Sequence, residues 1–259
     1  MENRRLSLLY TLQNLYNSAH PGSIEYLLSS YLIDNYHEID KLNIYDLAEE
    51  NNVSRATVRR FCKNLGYENF KELKSHFNEF DEGLNIYKEF YNSEHFLEIL
   101  QTQIKKMFSE LEDRLNSREL LNIVRKIKDS DEVIIIASST IANSVRVFQQ
   151  TMALLGKRIT IIVSKQQIIE LEKNISSDSL ILIFSISGVL AETFQDCLKN
   201  YHSDSYLFTN NRNPLFNQNF TRVYHLTSME NKNKNEIIYY TYGITYILDS
   251  IINRYCQLI

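Results

Sequence analysis

The chain has 259 residues, 44% hydrophobic and 23% charged, with 6 glycines, 2 prolines and a formal net charge of -4. At one domain per ~150 residues this length suits two domains, and the apolar content excludes a disordered chain. The scarcity of glycine and proline argues against a turn-rich β-sandwich, and the acidic balance excludes coating of nucleic acid or membrane through bulk positive charge, so any DNA contact has to be local.

Cys62, Cys197 and Cys256 are far apart and show no CxxC or Cys/His spacing, which reads as a reducing compartment with no metal site. The amino-terminal stretch MENRRLSLLYTLQNLYNSAHPGS is interrupted by polar residues, and no run approaches the ~18 apolar residues of a membrane span. The chain is therefore expected to be cytoplasmic, with neither cofactor nor membrane partner.

The first 77 residues read as a run of helices. SIEYLLSSYLIDNY repeats Ile24, Leu27, Leu28, Tyr31 and Leu32 at helical spacing behind a Ser23 cap. IYDLAEENN supplies a short second helix. Val58, Phe61, Cys62 and Leu65 mark a third that stops at Gly66, and FKELKSHFNEF continues helically. Residues 78–116 form a connector in which Phe96, Ile99, Leu100, Ile104, Met107, Phe108 and Leu111 share one helical face, too apolar for a free linker and expected to pack on another surface such as a second subunit.

From residue 117 helix and strand alternate. SRELLNIVRKIKDS, NSVRVFQQTMALLG, KQQIIELEKNIS and LAETFQDCLKNYH read as helices, and EVIIIAS, RITIIVS, SLILIFSISG and SYLFTNN as strands. The strand runs are continuously apolar, as in a parallel sheet covered on both faces. RVYHLTS is a candidate last strand and NEIIYYTYGITYILDSIINRYCQLI one long terminal helix. The fold class is an all-α helix-turn-helix domain followed by a doubly wound, mainly parallel α/β domain, with no internal repeat.

The helix-turn-helix carries the first chemistry. Leu47, Ala48, Val53, Val58 and Phe61 are small or apolar where two helices must touch, leaving Arg55, Thr57, Arg59, Arg60 and Lys63 outward on a helix with no acid. Such a face suits a major groove, where arginine grips guanine in two-pronged fashion, the hydroxyls of Ser54 and Thr57 reach bases or phosphates, and Lys71 and Lys74 meet the backbone. Ser54, Arg55, Thr57, Arg59, Arg60, Lys63, Lys71 and Lys74 are the candidate DNA-binding residues.

The segment SIEYLLSSYLIDNYHEIDKLNIYDLAEENNVSRATVRRFCKNLGYENFKELKSHF resembles the amino-terminal domain of the RpiR/MurR family of bacterial transcription regulators, whose pattern includes "VS.ATV.RFC..LGY..F.ELK". The resemblance implies a DNA-binding domain followed by a sugar-isomerase (SIS) domain. Residues 117–259 resemble the latter, with Ser185, Ser187, Gly188, Glu192 and Thr193 of FSISGVLAETF matching its "iS.SG.T.Et" motif. A strand that ends in a hydroxyl-rich loop opening onto a helix amino terminus favours an anion, here a sugar phosphate.

Two positions depart from the pattern. Leu190 stands at the motif threonine. In the first strand-to-helix loop the family's "G.G.S" falls on Ala137, Ser139 and Ile141, leaving Ser138, Ser139 or Thr140 to compensate. Each lost hydroxyl donor costs an anion site about 1.5 to 3 kcal/mol. The candidate ligand-binding residues are Ser138, Ser139, Thr140, Ser185, Ser187, Gly188 and Glu192.

The leading expectation is a regulator of carbohydrate-metabolism genes that binds a double-stranded operator as a homodimer or higher homo-oligomer and responds to a sugar-phosphate effector. Two alternatives stay open: an SIS-type isomerase with an accessory helical domain, and a DNA-binding dimer with a ligand-blind SIS scaffold. Catalysis is not expected. Glu192 is the only carboxylate in the motif, His202 and His225 are lone histidines, and no GxSxG, HExxH or P-loop occurs.

Overall fold

The computed structural model describes residues 4–75, 88–163, 176, 178–198, 203–228 and 236–259. The chain divides between Ser93 and Glu94 into two compact units.

The first unit holds α1 (Arg4–Ser18), α2 (Ile24–Asp34), a 3-10 turn (Tyr36–Glu38), α3 (Ile44–Glu50), α4 (Arg55–Asn64) and α5 (Phe70–Ser75). Ser23 caps α2 as its position suggests, its hydroxyl accepting from the Tyr26 N–H at 3.2 Å. Leu12, Leu28, Leu32, Ile39, Leu47, Val58 and Leu73 are fully shielded in one core, so truncating any of the leucines to alanine would cost about 2 to 5 kcal/mol. Cys62 joins that core. Burial pushes its thiol up to about 11, which keeps it protonated and makes it a small packing residue.

The second unit opens with α6 (Phe96–Arg114) and α7 (Ser117–Asp129). Then follow β1 (Val133–Ala137), a 3-10 turn (Ser139–Ile141), α8 (Ala142–Leu154), β2 (Ile159–Ile162), β3 (Leu180–Phe184), α9 (Val189–Leu198), β4 (Asp204–Thr209), a short helix (Phe216–Asn219) and β5 (Arg222–His225). All five strands run parallel in the order β2-β1-β3-β4-β5, with Val133 opposite both Ile159 and Leu180. β1 and β3 are buried along their whole length, and the edge strand β5 is partly exposed, which is why the inner strands read as unbroken apolar runs.

The pleat sends alternate residues to opposite faces. Ile134, Ile136, Ile181, Ile183 and Leu207 meet Ala191, Phe194, Phe216 and Phe220 on one of them. Phe184, Phe208 and Tyr224 stack across β3, β4 and β5 at 4.7 and 5.0 Å between ring centroids. Strand order reverses between β1 and β3, and their carboxyl ends mark the crevice where such sheets bind ligands.

Two expectations change here. The connector helix α6 is part of the second unit itself: Met107 and Leu111 are buried, and Tyr239 donates a hydrogen bond to the Glu110 carboxylate. The terminal segment is not one regular helix, because a π-helical turn (Tyr239–Gly243) separates Glu236–Ile238 from α10 (Ile244–Cys256). The expected helix KQQIIELEKNIS lies, apart from Ser176, outside the described residues, as do His202 and the end of FKELKSHFNEF.

Candidate nucleic-acid interface and effector site

The turn between α3 and α4 is closed by backbone geometry. Asn52 takes a left-handed conformation (φ 52°), Val53 N–H donates to the Ala48 carbonyl at 2.9 Å and Asn52 N–H to Glu49 at 3.0 Å. The same paired bonds end α4, where Gly66 (φ 87°) lets Tyr67 N–H reach Cys62 and its own N–H reach Lys63, both at 2.9 Å. Between these stops α4 is fixed at its start by Ser54, whose hydroxyl accepts from the Thr57 N–H at 3.1 Å and pairs with the Thr57 hydroxyl at 2.9 Å.

Val58, Phe61 and Cys62 face the core, which leaves Arg55, Arg59, Arg60 and Lys63 exposed on one helix with no acid to neutralise them. Lys71, on α5, is exposed as well. The other candidates are placed differently. Ser54 and Thr57 are engaged with each other in the cap, and the half-buried Lys74 donates to the Leu42 carbonyl, so its first role is to tie α5 to the loop before α3. Tyr45, 61% exposed and absent from the sequence candidates, lies under the Arg55 guanidinium at 4.8 Å, a cation–π contact that orients the arginine.

In the second unit, the loop Ser185-Ile186-Ser187-Gly188 joins β3 to α9. Its serines are turned toward the protein. The Ser185 hydroxyl, fully buried, accepts from the Ala191 N–H at 3.2 Å, and the Ser187 hydroxyl accepts from Val189 at 3.4 Å. Both thus act as caps of α9. Gly188 sits at φ 89° with Asn211 closed over it: a Cβ there would lie 2.5 Å from the Asn211 amide nitrogen, which donates to the Ser187 carbonyl at 2.8 Å. Glu192 is exposed, and its carboxylate accepts from the Asn213 side chain at 3.3 Å, bracing the β4 loop against α9.

The two departures from the family pattern both go inward. Leu190 packs against the core cluster beneath the sheet, and Ile141 is buried. Thr140 is exposed in the turn after β1. The Ser139 side chain lies outside the described side chains. Ser138 is partly buried, and its hydroxyl has no protein partner among the described residues. Asn210, at the carboxyl end of β4, is 7% exposed with its side-chain oxygen likewise unpartnered. At the end of β5, burial first and then the Arg212 and Arg114 guanidiniums hold the His225 imidazole below its ordinary pKa.

Asn211, Asn210 and Tyr240, whose hydroxyl accepts from the Ser187 N–H at 3.3 Å, are neighbours of this loop that motif reading passes over. The one sequence signal was the Asn210-Asn211 pair at a strand end, a polar step in an apolar run. Among the described residues no helix is long and apolar enough to cross a membrane.

Residues 7–81 match the helix-turn-helix domain of the rpiR family. No curated protein matches the chain. Among solved structures, the Vibrio vulnificus NanR protein complexed with ManNAc-6P is similar at 16% identity over 97% of this chain and 92% of its own, with a TM-score of 0.49. The hypothetical protein MJ1247 from Methanococcus jannaschii, for which a function of 3-hexulose-6-phosphate isomerase is inferred, is similar at 13% identity over 64% of this chain and 91% of its own, with a TM-score of 0.47. The sugar isomerase domain of an RpiR transcription factor from Sphaerobacter thermophilus covers 62% of this chain and 89% of its own at 12% identity, with a TM-score of 0.50. The amino-terminal residues 7–81 thus match the helix-turn-helix domain of the rpiR family, and the α/β unit that follows shares the fold of a sugar isomerase domain.

Proposed function

We propose that the chain is a sequence-specific DNA-binding transcriptional regulator of carbohydrate-metabolism genes whose α/β unit senses a phosphorylated sugar. The observation that carries the first half is α4, a capped helix displaying Arg55, Arg59, Arg60 and Lys63 to solvent in an acidic chain. Only a local contact with a polyanion puts that face to use. Residues 1–77 then read DNA, 78–116 connect, with α6 packed as part of the second unit, and 117–259 sense the effector and dimerise, with one half-site per subunit and successive half-sites about 34 Å apart. The Ser138 hydroxyl and the Asn210 side-chain oxygen, without partners among the described residues and beside the β3–α9 loop, support a ligand at the carboxyl edge of the sheet.

The reading is of a sensor without catalysis. Glu192, the motif carboxylate, is held by Asn213, which suits a brace better than a proton-abstracting base. A ligand-blind scaffold is the second reading, favoured by Leu190 and Ile141 packing inward and by the capping roles of Ser185 and Ser187.

The test is binding of the purified chain to DNA upstream of its own gene and of neighbouring genes, with and without a panel of sugar phosphates. Binding that one sugar phosphate changes supports the sensor, and tight binding indifferent to all of them supports the scaffold. Absence of sequence-preferring binding contradicts the reading. An effector at about 100 times its Kd also raises stability by about 2.7 kcal/mol, readable as a thermal shift.

A further inference from the structure

Tyr239 and Tyr240 are neighbours in the π-helical turn, yet their hydroxyls reach different elements. Tyr239 donates to the Glu110 carboxylate on α6, which also accepts from the Ser228 hydroxyl at 3.0 Å. Tyr240 reaches across to the β3–α9 loop and accepts from the Ser187 N–H at 3.3 Å. The turn is packed tightly between them: a Cβ on Gly243 would stand 3.1 Å from the Tyr239 ring and 3.2 Å from the Met107 sulfur on α6. Turns of this width inside helices recur at functional sites.

The loop that Tyr240 touches is an anion-favouring nest with its donors already engaged. Gly188 N–H donates to Ser185 at 3.1 Å and Glu192 N–H to Gly188 at 2.9 Å. Val189 and Ala191 N–H donate to the serine hydroxyls. Most of these bonds belong to the first turn of α9. The bond from Ser187 to Tyr240 is different, because its acceptor comes from 53 residues away and is a side-chain hydroxyl outside α9. Asn210, whose own N–H donates to the Ile186 carbonyl at 2.9 Å, places its unpartnered side-chain oxygen close by in the chain.

We infer that Tyr240 is the gate of this site: its hydroxyl holds the Ser187 N–H that a phosphate oxygen would otherwise take, so a phosphate monoester enters by displacing it. The inference rests on the reading of the loop as an effector site. Displacement of Tyr240 rotates the π turn, and the Tyr239–Glu110 bond passes that rotation to α6, the helix that opens the second unit and follows the DNA-reading unit in sequence. Binding energy and conformational change are coupled in this way only because the two states differ in a specific bond.

The test uses the full chain as wild type, Tyr240→Phe and Tyr242→Phe, the last altering an exposed ring in the same turn. Each is titrated with inorganic phosphate and with glucose 6-phosphate by thermal shift. Removing one competing hydrogen bond is expected to tighten phosphate binding about threefold to tenfold in Tyr240→Phe, with Tyr242→Phe matching wild type. Phosphate should also speed amide exchange at residues 236–243 and 96–114 in wild type. An identical phosphate response in wild type and Tyr240→Phe, including none in either, overturns the gate. Operator binding by the same preparations separates the two failures: its loss in wild type refutes the regulator, and its presence alongside unchanged phosphate responses refutes the gate alone.

Discussion

The starts of α4 and α9 are made from the same parts, a serine hydroxyl accepting from a first-turn N–H, and they end in opposite states. At α4 the cap from Ser54 to Thr57 is complete within four residues, and the arginines beyond it are left to solvent. At α9 the caps from Ser185 and Ser187 are followed by Asn211 closing over Gly188 and Tyr240 engaging the loop from a distant element. The cationic face of α4 needs only one helix to exist. The β3–α9 loop is a joint product of β3, β4 and the terminal π turn, so its state is set by tertiary contacts.

Glycine substitutions sharpen that comparison most. Gly66 and Gly188 have nearly the same backbone (φ 87° and 89°), but nothing lies within 4 Å of a Cβ at Gly66, whereas one at Gly188 meets Asn211 at 2.5 Å. Gly188→Ala is expected to cost about 2 to 4 kcal/mol, from left-handed strain plus the lost Asn211 bond, and Gly66→Ala about 1 kcal/mol. Denaturant midpoints of the two variants check this, and equal shifts would erase the distinction between the open stop after α4 and the closed start of α9.

The next effect in size is on DNA. Arg60→Ala is expected to weaken operator binding by about 1 to 3 kcal/mol with unchanged thermal stability, since the side chain is exposed. Lys71→Ala should act less strongly and on every sequence alike, lowering the slope of log affinity against log salt by about one. A salt titration on operator and scrambled duplex separates the two roles.

The smallest expected effect is a pH dependence from the carboxyl edge of the sheet. His225 is held below its ordinary value of 6.5, so between that value and its lower folded one the unfolded chain binds a proton that the folded chain refuses. Its contribution to stability is full above pH 6.5 and falls as the pH drops below it. A melting-temperature series from pH 7.5 to about 5 should be flatter for His225→Gln than for wild type, and identical slopes would remove His225 from the edge electrostatics.

The helix-turn-helix was legible because its signals are local: Ser54 before an apolar-periodic helix, Gly66 after it, and arginines where no core contact falls. The parallel sheet was legible from unbroken runs such as VIIIA and LILIF, which only strands covered on both faces tolerate. The site was legible only in outline. FSISG marks the loop, yet the inward turn of Ser185 depends on the depth of β3, and Tyr240 meets Ser187 only because a π turn breaks a pattern that reads as a continuous helix. Lys74 shows the same limit on a smaller scale, since a lysine just beyond a cationic helix gives no sequence sign that a carbonyl 32 residues away will hold it.

The most direct test of the central claim is the ratio of affinities for the native operator and a scrambled duplex of equal length, at one fixed salt concentration, for wild type and Arg60→Ala. The regulator reading expects wild type to prefer the operator by about a thousandfold or more, and the arginine variant to lose about fivefold to a hundredfold of that preference. Equal affinity of wild type for the two duplexes would contradict it.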